Sequence, residues 1–179
     1  FCLSRGLGDV YKRQVFKSVI WQNFLSTGNT PIEIILDKSP STLIIGDNGS
    51  GKSTVLDALT FGLFGKPFRR IKKDQLVNTV NGRDCLVEVY FTVGRKKFLI
   101  RRGIKPTKFE IFIDGKLLNQ DASARDYQKH LENNILKLNH RSFTQVVILG
   151  SSSFIPFMQL TAAARREVVE EILDIKIFS

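Results

Sequence analysis

Residues 46–53 read Gly-Asp-Asn-Gly-Ser-Gly-Lys-Ser, a G-x-x-x-x-G-K-S pattern with an apolar run before it and an amphipathic run after it. No other feature of the chain restricts its fold so tightly. A loop of this composition brings many donors to one small anionic group. Its glycines let successive backbone N–H groups turn inward with no Cβ in the way. A helix starting at about Ser53 adds its free N–H groups and the positive end of its dipole. Lys52 places an ammonium beside the β- and γ-phosphates of a nucleoside triphosphate, and the Ser53 hydroxyl can ligate the Mg²⁺ that bridges them. The predicted contacts are therefore Asp47, Asn48, Gly49, Ser50, Gly51, Lys52, Ser53 and Thr54. ATP is the expected ligand, Lys52 the residue that also assists phosphoryl transfer, and Ser53 the protein ligand to Mg²⁺.

The flanks agree with the loop. Residues 41–45 form a short continuous apolar run of the kind buried on both faces of a sheet. Residues 53–64 carry Leu56, Leu59, Thr60 and Leu63 on one helical face, and Gly65-Lys66-Pro67 stops the helix. Two strands precede the loop, at 15–20 and 32–36. After it come strands at 85–92, 97–101 and 109–113, with Asp114-Gly115 as a hairpin turn before 116–118. Ser123 caps a predicted helix over 124–138, and Thr161 caps another from Ala162. Residues 146–149 are a further apolar strand. The expected fold class is α/β: a P-loop NTPase with a mixed sheet and an antiparallel β block beside it.

Composition narrows the function. The longest apolar stretches are strand-length, well short of the ~20 residues that cross a bilayer, so no membrane partner is expected. Two cysteines and two histidines provide neither a disulfide framework nor a metal cluster, and fit a cytoplasmic compartment. The net charge of +10 suggests an anionic partner. Residues 1–14 have no helical or strand period and read as a non-native or disordered extension. Without their three cations and one anion the charge is still +8. The positive charge gathers at Arg69, Arg70, Lys72 and Lys73, at Arg95, Lys96 and Lys97, and at Arg101, Arg102, Lys105 and Lys108. Such clusters suit the phosphates of double-stranded DNA, with a solvated face as the bland alternative. Asp114 is read as a turn residue rather than a Mg²⁺ ligand. His130 and His140 are read as surface or packing residues. Gln145 is a candidate γ-phosphate or Mg²⁺ sensor, or an ordinary polar residue entering the 146–149 strand. No carboxylate for Mg²⁺ and no group to orient water is found, so hydrolysis chemistry looks incomplete.

Three blocks carry a resemblance: Asn23-Phe24, LIIGDNGSGKSTVLDALTFGLFGKPFR at 43–69, and SFTQVVILGSSSFIPFMQLTAAARREVVEEIL at 142–173. With them the chain resembles the amino-terminal part of SMC-like ABC ATPases that serve double-strand-break repair nucleases. It is most similar to the large ATPase subunits of T-even-type phage recombination endonucleases, and more distantly to bacterial SbcC proteins. The resemblance implies that residues 15–160 are the amino-terminal lobe of an ATPase head and residues 161–179 the start of an outgoing coiled coil. It implies a distant carboxy-terminal lobe that supplies the remaining catalytic groups and completes the sheet. A second copy of the protein, joined in an ATP-dependent head dimer, and a metal-dependent nuclease subunit are the implied partners. The host-cell cytoplasm is the implied location for a phage-encoded form. Cellular relatives place a glutamine–glycine pair where this chain has Ser151 and Ser152, so the sensor is open between Gln145 and Ser151. The alternatives are a chromosome-structural SMC-type ATPase without a nuclease partner, a transporter ATPase, and a nucleotide-binding module without turnover.

Overall fold

The computed structural model describes residues 14–118, 123–148 and 157–172. Six strands form one sheet in the order β2-β1-β3-β4-β5-β6. They are β1 (Gln14–Gln22), β2 (Ile32–Ile35), β3 (Cys85–Val93), β4 (Lys96–Ile104), β5 (Lys108–Ile113) and β6 (Lys116–Leu117). Every pairing is antiparallel. The predicted antiparallel block is present and extends back to β1, whose first residue, Gln14, already pairs with Val93. Strict alternation in β3 puts Cys85, Val87, Val89 and Phe91 on one buried face. Asp114 and Gly115 both take left-handed backbone angles, as a two-residue hairpin turn needs, and the Asp114 carboxylate accepts from Lys97 N at 2.8 Å.

Helix α1 (Thr54–Phe64) lies across that face and is buried along almost its whole length. Gly62 makes the close approach possible: a Cβ there would stand 2.5 Å from Val89 Cγ2 and 3.2 Å from Val87 Cγ1. The core is aromatic. Phe24 meets Phe61 at 5.6 Å between centroids, and the Phe64, Phe143, Phe16, Phe91 and Phe98 rings form a continuous chain at spacings of 5.2 to 5.9 Å. That chain joins α1, β1, β3 and β4 to α3 (His140–Val146).

The carboxyl end of α1 is closed by a charge that the sequence placed among DNA contacts. Arg102 donates from Nε to Gly62 O at 3.1 Å and from Nη2 to Gln128 Oε1 at 2.6 Å, with its guanidinium 3.8 Å above the Phe109 ring. Gln128, on α2 (Ala124–His130), donates in turn to Leu63 O at 3.2 Å. A cation at helix carbonyls opposes the negative end of the dipole. Burial lowers the Arg102 pKa to about 10, which still leaves it charged at neutral pH. Arg102→Met is expected to lower unfolding stability by about 2 kcal/mol, measured by urea titration, because the α1 carbonyls lose their donor and Phe109 its cation.

Three predicted elements differ. Residues 41–45 form no strand and pair with none, and Leu43 and Ile45 are 82% and 83% exposed. An apolar run becomes a strand only where neighbouring backbone takes up its N–H and C=O groups, and no described strand pairs with it. The predicted 124–138 helix begins as α2, with Asp126 N donating to Ser123 Oγ, but widens into a π-helix at Leu131–Leu136 and ends at Lys137 in a left-handed turn. The segment entering the predicted 146–149 strand is helical: α3 starts where Asn139 Oδ1 accepts from Ser142 N at 2.9 Å. Four apolar residues in a row do not distinguish a strand from a buried helix end, and the Asn139 cap decides for helix. Thr161 does cap α4 (Ala162–Ile172), accepting from Ala164 N at 3.3 Å.

Candidate functional site

The 46–53 loop joins the unpaired 41–45 segment to α1. Gly49 and Gly51 have φ of +88° and +90°, which side-chain-bearing residues rarely adopt. Gly46 is held by sterics: a Cβ there would lie 2.6 Å from Ser50 Oγ. Ser50 N donates to Asp47 O at 3.1 Å, and Thr54 N to Gly51 O at 2.9 Å, so the loop closes and passes directly into the helix. Ser53 stands at the helix start with its hydroxyl exposed, while Thr54 is buried beneath it. Lys52 curls over the loop. Its Nζ donates to Gly46 O and, at 2.6 Å, to Asp47 O. The ammonium thus sits at the loop's mouth, held by carbonyls that an anionic ligand can replace with stronger, charge-assisted contacts.

The loop opens onto a cleft of about 490 Å³. Gly46, Ser50, Gly51 and Lys52 of the loop line it. Trp21, Ile32 and Ile34 of the sheet, Ile44 and Ile45 before the loop, and Ser26 and Thr27 of the turn after β1 complete the lining. A volume of this order suits a small organic ligand. Among the described residues no group of three His, Cys, Asp or Glu side chains could hold a metal by itself. The loop therefore offers donors, one cation and one free hydroxyl, a set that fits a Mg²⁺-bound triphosphate whose own oxygens supply most of the metal's ligands.

The turn that brings Ser26 and Thr27 to the cleft is built by residues whose role the sequence did not show. Asn23 is buried at φ +49°. Its Nδ2 donates to Asn29 Oδ1 at 3.1 Å and Asp84 O at 3.3 Å, and its Oδ1 accepts from Asn81 Nδ2 at 2.6 Å. Asn78 Nδ2 donates to Leu25 O and Thr27 O at 3.2 and 3.0 Å. Two asparagines from distant segments thereby fix the turn that presents Ser26 and Thr27. The dipeptide Asn23-Phe24 had stood out only through the family resemblance. Asn78 carried no local signal, because its partners are some fifty residues away in sequence.

Behind the loop, Asp57 of α1 is 0% exposed and accepts from Arg69 N at 2.9 Å and Arg69 Nε at 2.6 Å. This ties the helix that follows the loop to the basic connection after it. It also removes Arg69 from the predicted DNA contacts. Arg101 is removed as well, since it bridges Glu88 at 2.6 Å and Glu110 at 3.4 Å across three strands. Arg70, Lys72, Lys73, Arg95, Lys96, Lys97 and Lys105 remain exposed.

Gln145 lies on α3, not at a strand entrance, and is not among the residues lining the cleft. Its Oε1 is buried with no partner among the described residues. Ser151 lies outside the described residues. His140 packs edge-on against Phe64 with Nε2 3.3 Å from Pro67 O, and burial pushes its pKa down. His130 is exposed beside Asn134. Burial also pushes the Cys85 thiol up to about 12, so it behaves as a core residue.

Residues 18–177 match the family described as AAA domain. The chain is 49% identical over 157 residues to exonuclease subunit 2 of Escherichia phage RB69 and 47% identical to that of Enterobacteria phage T4, in each case covering 88% of this chain and 28% of the relative. It is 31% identical to the DNA double-strand break repair Rad50 ATPase of Thermoplasma acidophilum, covering 86% of this chain and 17% of that protein. The chain thus spans under a third of these relatives' length. A solved SMC ATPase, studied for ATP-driven dimerization and DNA-stimulated activation, superposes with a TM-score of 0.59 at 20% identity, over 88% of this chain and 98% of the other. The Smc head domain of Pyrococcus furiosus superposes at 0.53, over 72% and 34%. No helix among the described residues is long and apolar enough to cross a membrane. With its loop, sheet and helices in this arrangement, the chain belongs to the AAA domain family and shares the fold of the solved SMC ATPases.

Proposed function

We propose that this chain is the nucleotide-binding lobe of an ATPase that works with a metal-dependent nuclease in processing ends of double-stranded DNA. The position of Lys52 carries the reading: its ammonium is poised at the mouth of a glycine loop, beside a cleft of nucleotide size. ATP is the ligand. Backbone groups of Asp47 to Gly51 and the start of α1 hold its phosphates, Lys52 reaches the β- and γ-phosphates, and Ser53 ligates Mg²⁺. Mg²⁺ supplies charge neutralisation of the triphosphate when bound. The carboxylate and the water-orienting group come from outside this lobe, and a second copy joins it around ATP, in line with the ATP-driven dimerization described for the structurally similar SMC ATPase. The nuclease partnership is favoured over a purely chromosome-structural role by the 47% and 49% identity to phage exonuclease subunits.

The exposed cations at 70–73 and in the 94–97 turn suit the DNA backbone, which binds through counterion release and is therefore weakened by salt. In the full-length protein, double-stranded DNA is expected to stimulate ATP turnover. Raising salt from about 50 to 200 mM should remove most of that stimulation. Turnover indifferent to DNA, or DNA binding indifferent to salt, would refute the DNA-processing role while leaving nucleotide binding standing.

A further inference from the structure

Trp21 is the chain's single tryptophan. It sits on β1 opposite Ile32 and Val87, is 3% exposed, and lines the same cleft as Gly51, Lys52 and Val55. Its Nε1–H is buried and meets no acceptor among the described residues. A buried indole normally finds a partner, and an orphaned donor carries a standing cost. Thr27, which lines the same cleft, turns its hydroxyl to Phe24 instead, donating to Phe24 O at 2.6 Å and accepting from Phe24 N at 3.2 Å.

We propose that Trp21 is a nucleotide-contacting residue whose indole N–H donates to an acceptor on the sugar or base of the nucleotide. The inference rests on the nucleotide reading above. Once the loop holds the phosphates, the sugar and base must occupy the rest of the cleft. That part is walled by Ile32, Ile34, Ile44 and Ile45. Apolar walls suit a flat heterocycle, and a lone donor among them suits a ring nitrogen or a hydroxyl oxygen. The nitrogen is covered in the present arrangement. The contact therefore requires a local rearrangement on binding, and the proposal places it in the 41–45 segment, which no strand pairing holds.

The test compares two ligands by calorimetry on the full-length protein. Inorganic tripolyphosphate reaches only the loop, while ATP reaches both the loop and Trp21. Replacing Trp21 with benzothienylalanine exchanges the N–H for sulfur and keeps the shape. Affinity for ATP is expected to fall about tenfold, with tripolyphosphate binding unchanged. Trp21→Phe should show the same selectivity, and the isostere decides if that variant does not fold. Unchanged affinity for both ligands overturns the proposal, as does an equal loss for both, which would make the indole a prop for the loop. If the parent protein binds neither ligand, the nucleotide reading itself fails and takes this inference with it.

Discussion

Lys52→Ala is expected to weaken ATP binding by about a hundredfold, or about 2.7 kcal/mol, while leaving the thermal midpoint nearly unchanged. The two halves of that expectation have different causes. In the protein alone, Lys52 Nζ donates to the loop's own carbonyls, Gly46 O and Asp47 O, and the loop from 46 to 50 is exposed. Removing such contacts changes little, because water replaces them. With a triphosphate bound, the ammonium exchanges those carbonyls for phosphate oxygens, and charge-assisted contacts are about twice as strong. Lys52→Arg does not restore binding, because a planar fork is a poor substitute for a compact ammonium inside a tight loop. Calorimetric titration beside a melting curve separates the effects. A Lys52→Ala variant that binds ATP like the parent would remove the central reading of the site.

Arg69→Ala should produce the largest loss of stability, about 3 kcal/mol by urea unfolding. Asp57 is fully buried, whereas the Arg69 side chain is 37% exposed. Deleting the arginine strands a carboxylate in the core with only Arg69 N left to it. Deleting the charge of Asp57 leaves a cation that water can reach. Asp57→Asn should therefore cost less, about 1–2 kcal/mol. The double variant should cost less than the two singles combined, because neither partner is left stranded. Equal losses in the two single variants would show that the exposure of Arg69 does not relieve its charge. A loss of this size is a large share of the 5–15 kcal/mol of a typical domain. It would also loosen the helix on which the phosphate loop is mounted.

Much of this molecule could be read one residue at a time. The glycine loop, the helix after it with its Gly65 stop, the alternation in β3, the Asp114-Gly115 turn and the Ser123 and Thr161 caps are all local signals. Each depends on backbone angles or on side chains a few positions apart, so the chain carries them before it folds. The proposed phosphate-binding set from Asp47 to Thr54 is likewise contiguous. Tertiary structure decided what depends on partners far away in sequence. It assigned Arg69, Arg101 and Arg102 to Asp57, to two glutamates and to the end of α1, although in the sequence they look like any exposed cation. It turned the segment around Gln145 into a helix, left 41–45 without a strand partner among the described residues, and set Asn23 and Asn78 to hold the turn that brings Ser26 and Thr27 to the cleft. Charge, polarity and apolarity are properties of a residue, but pairing is a property of two, and only the folded chain brings the second one near.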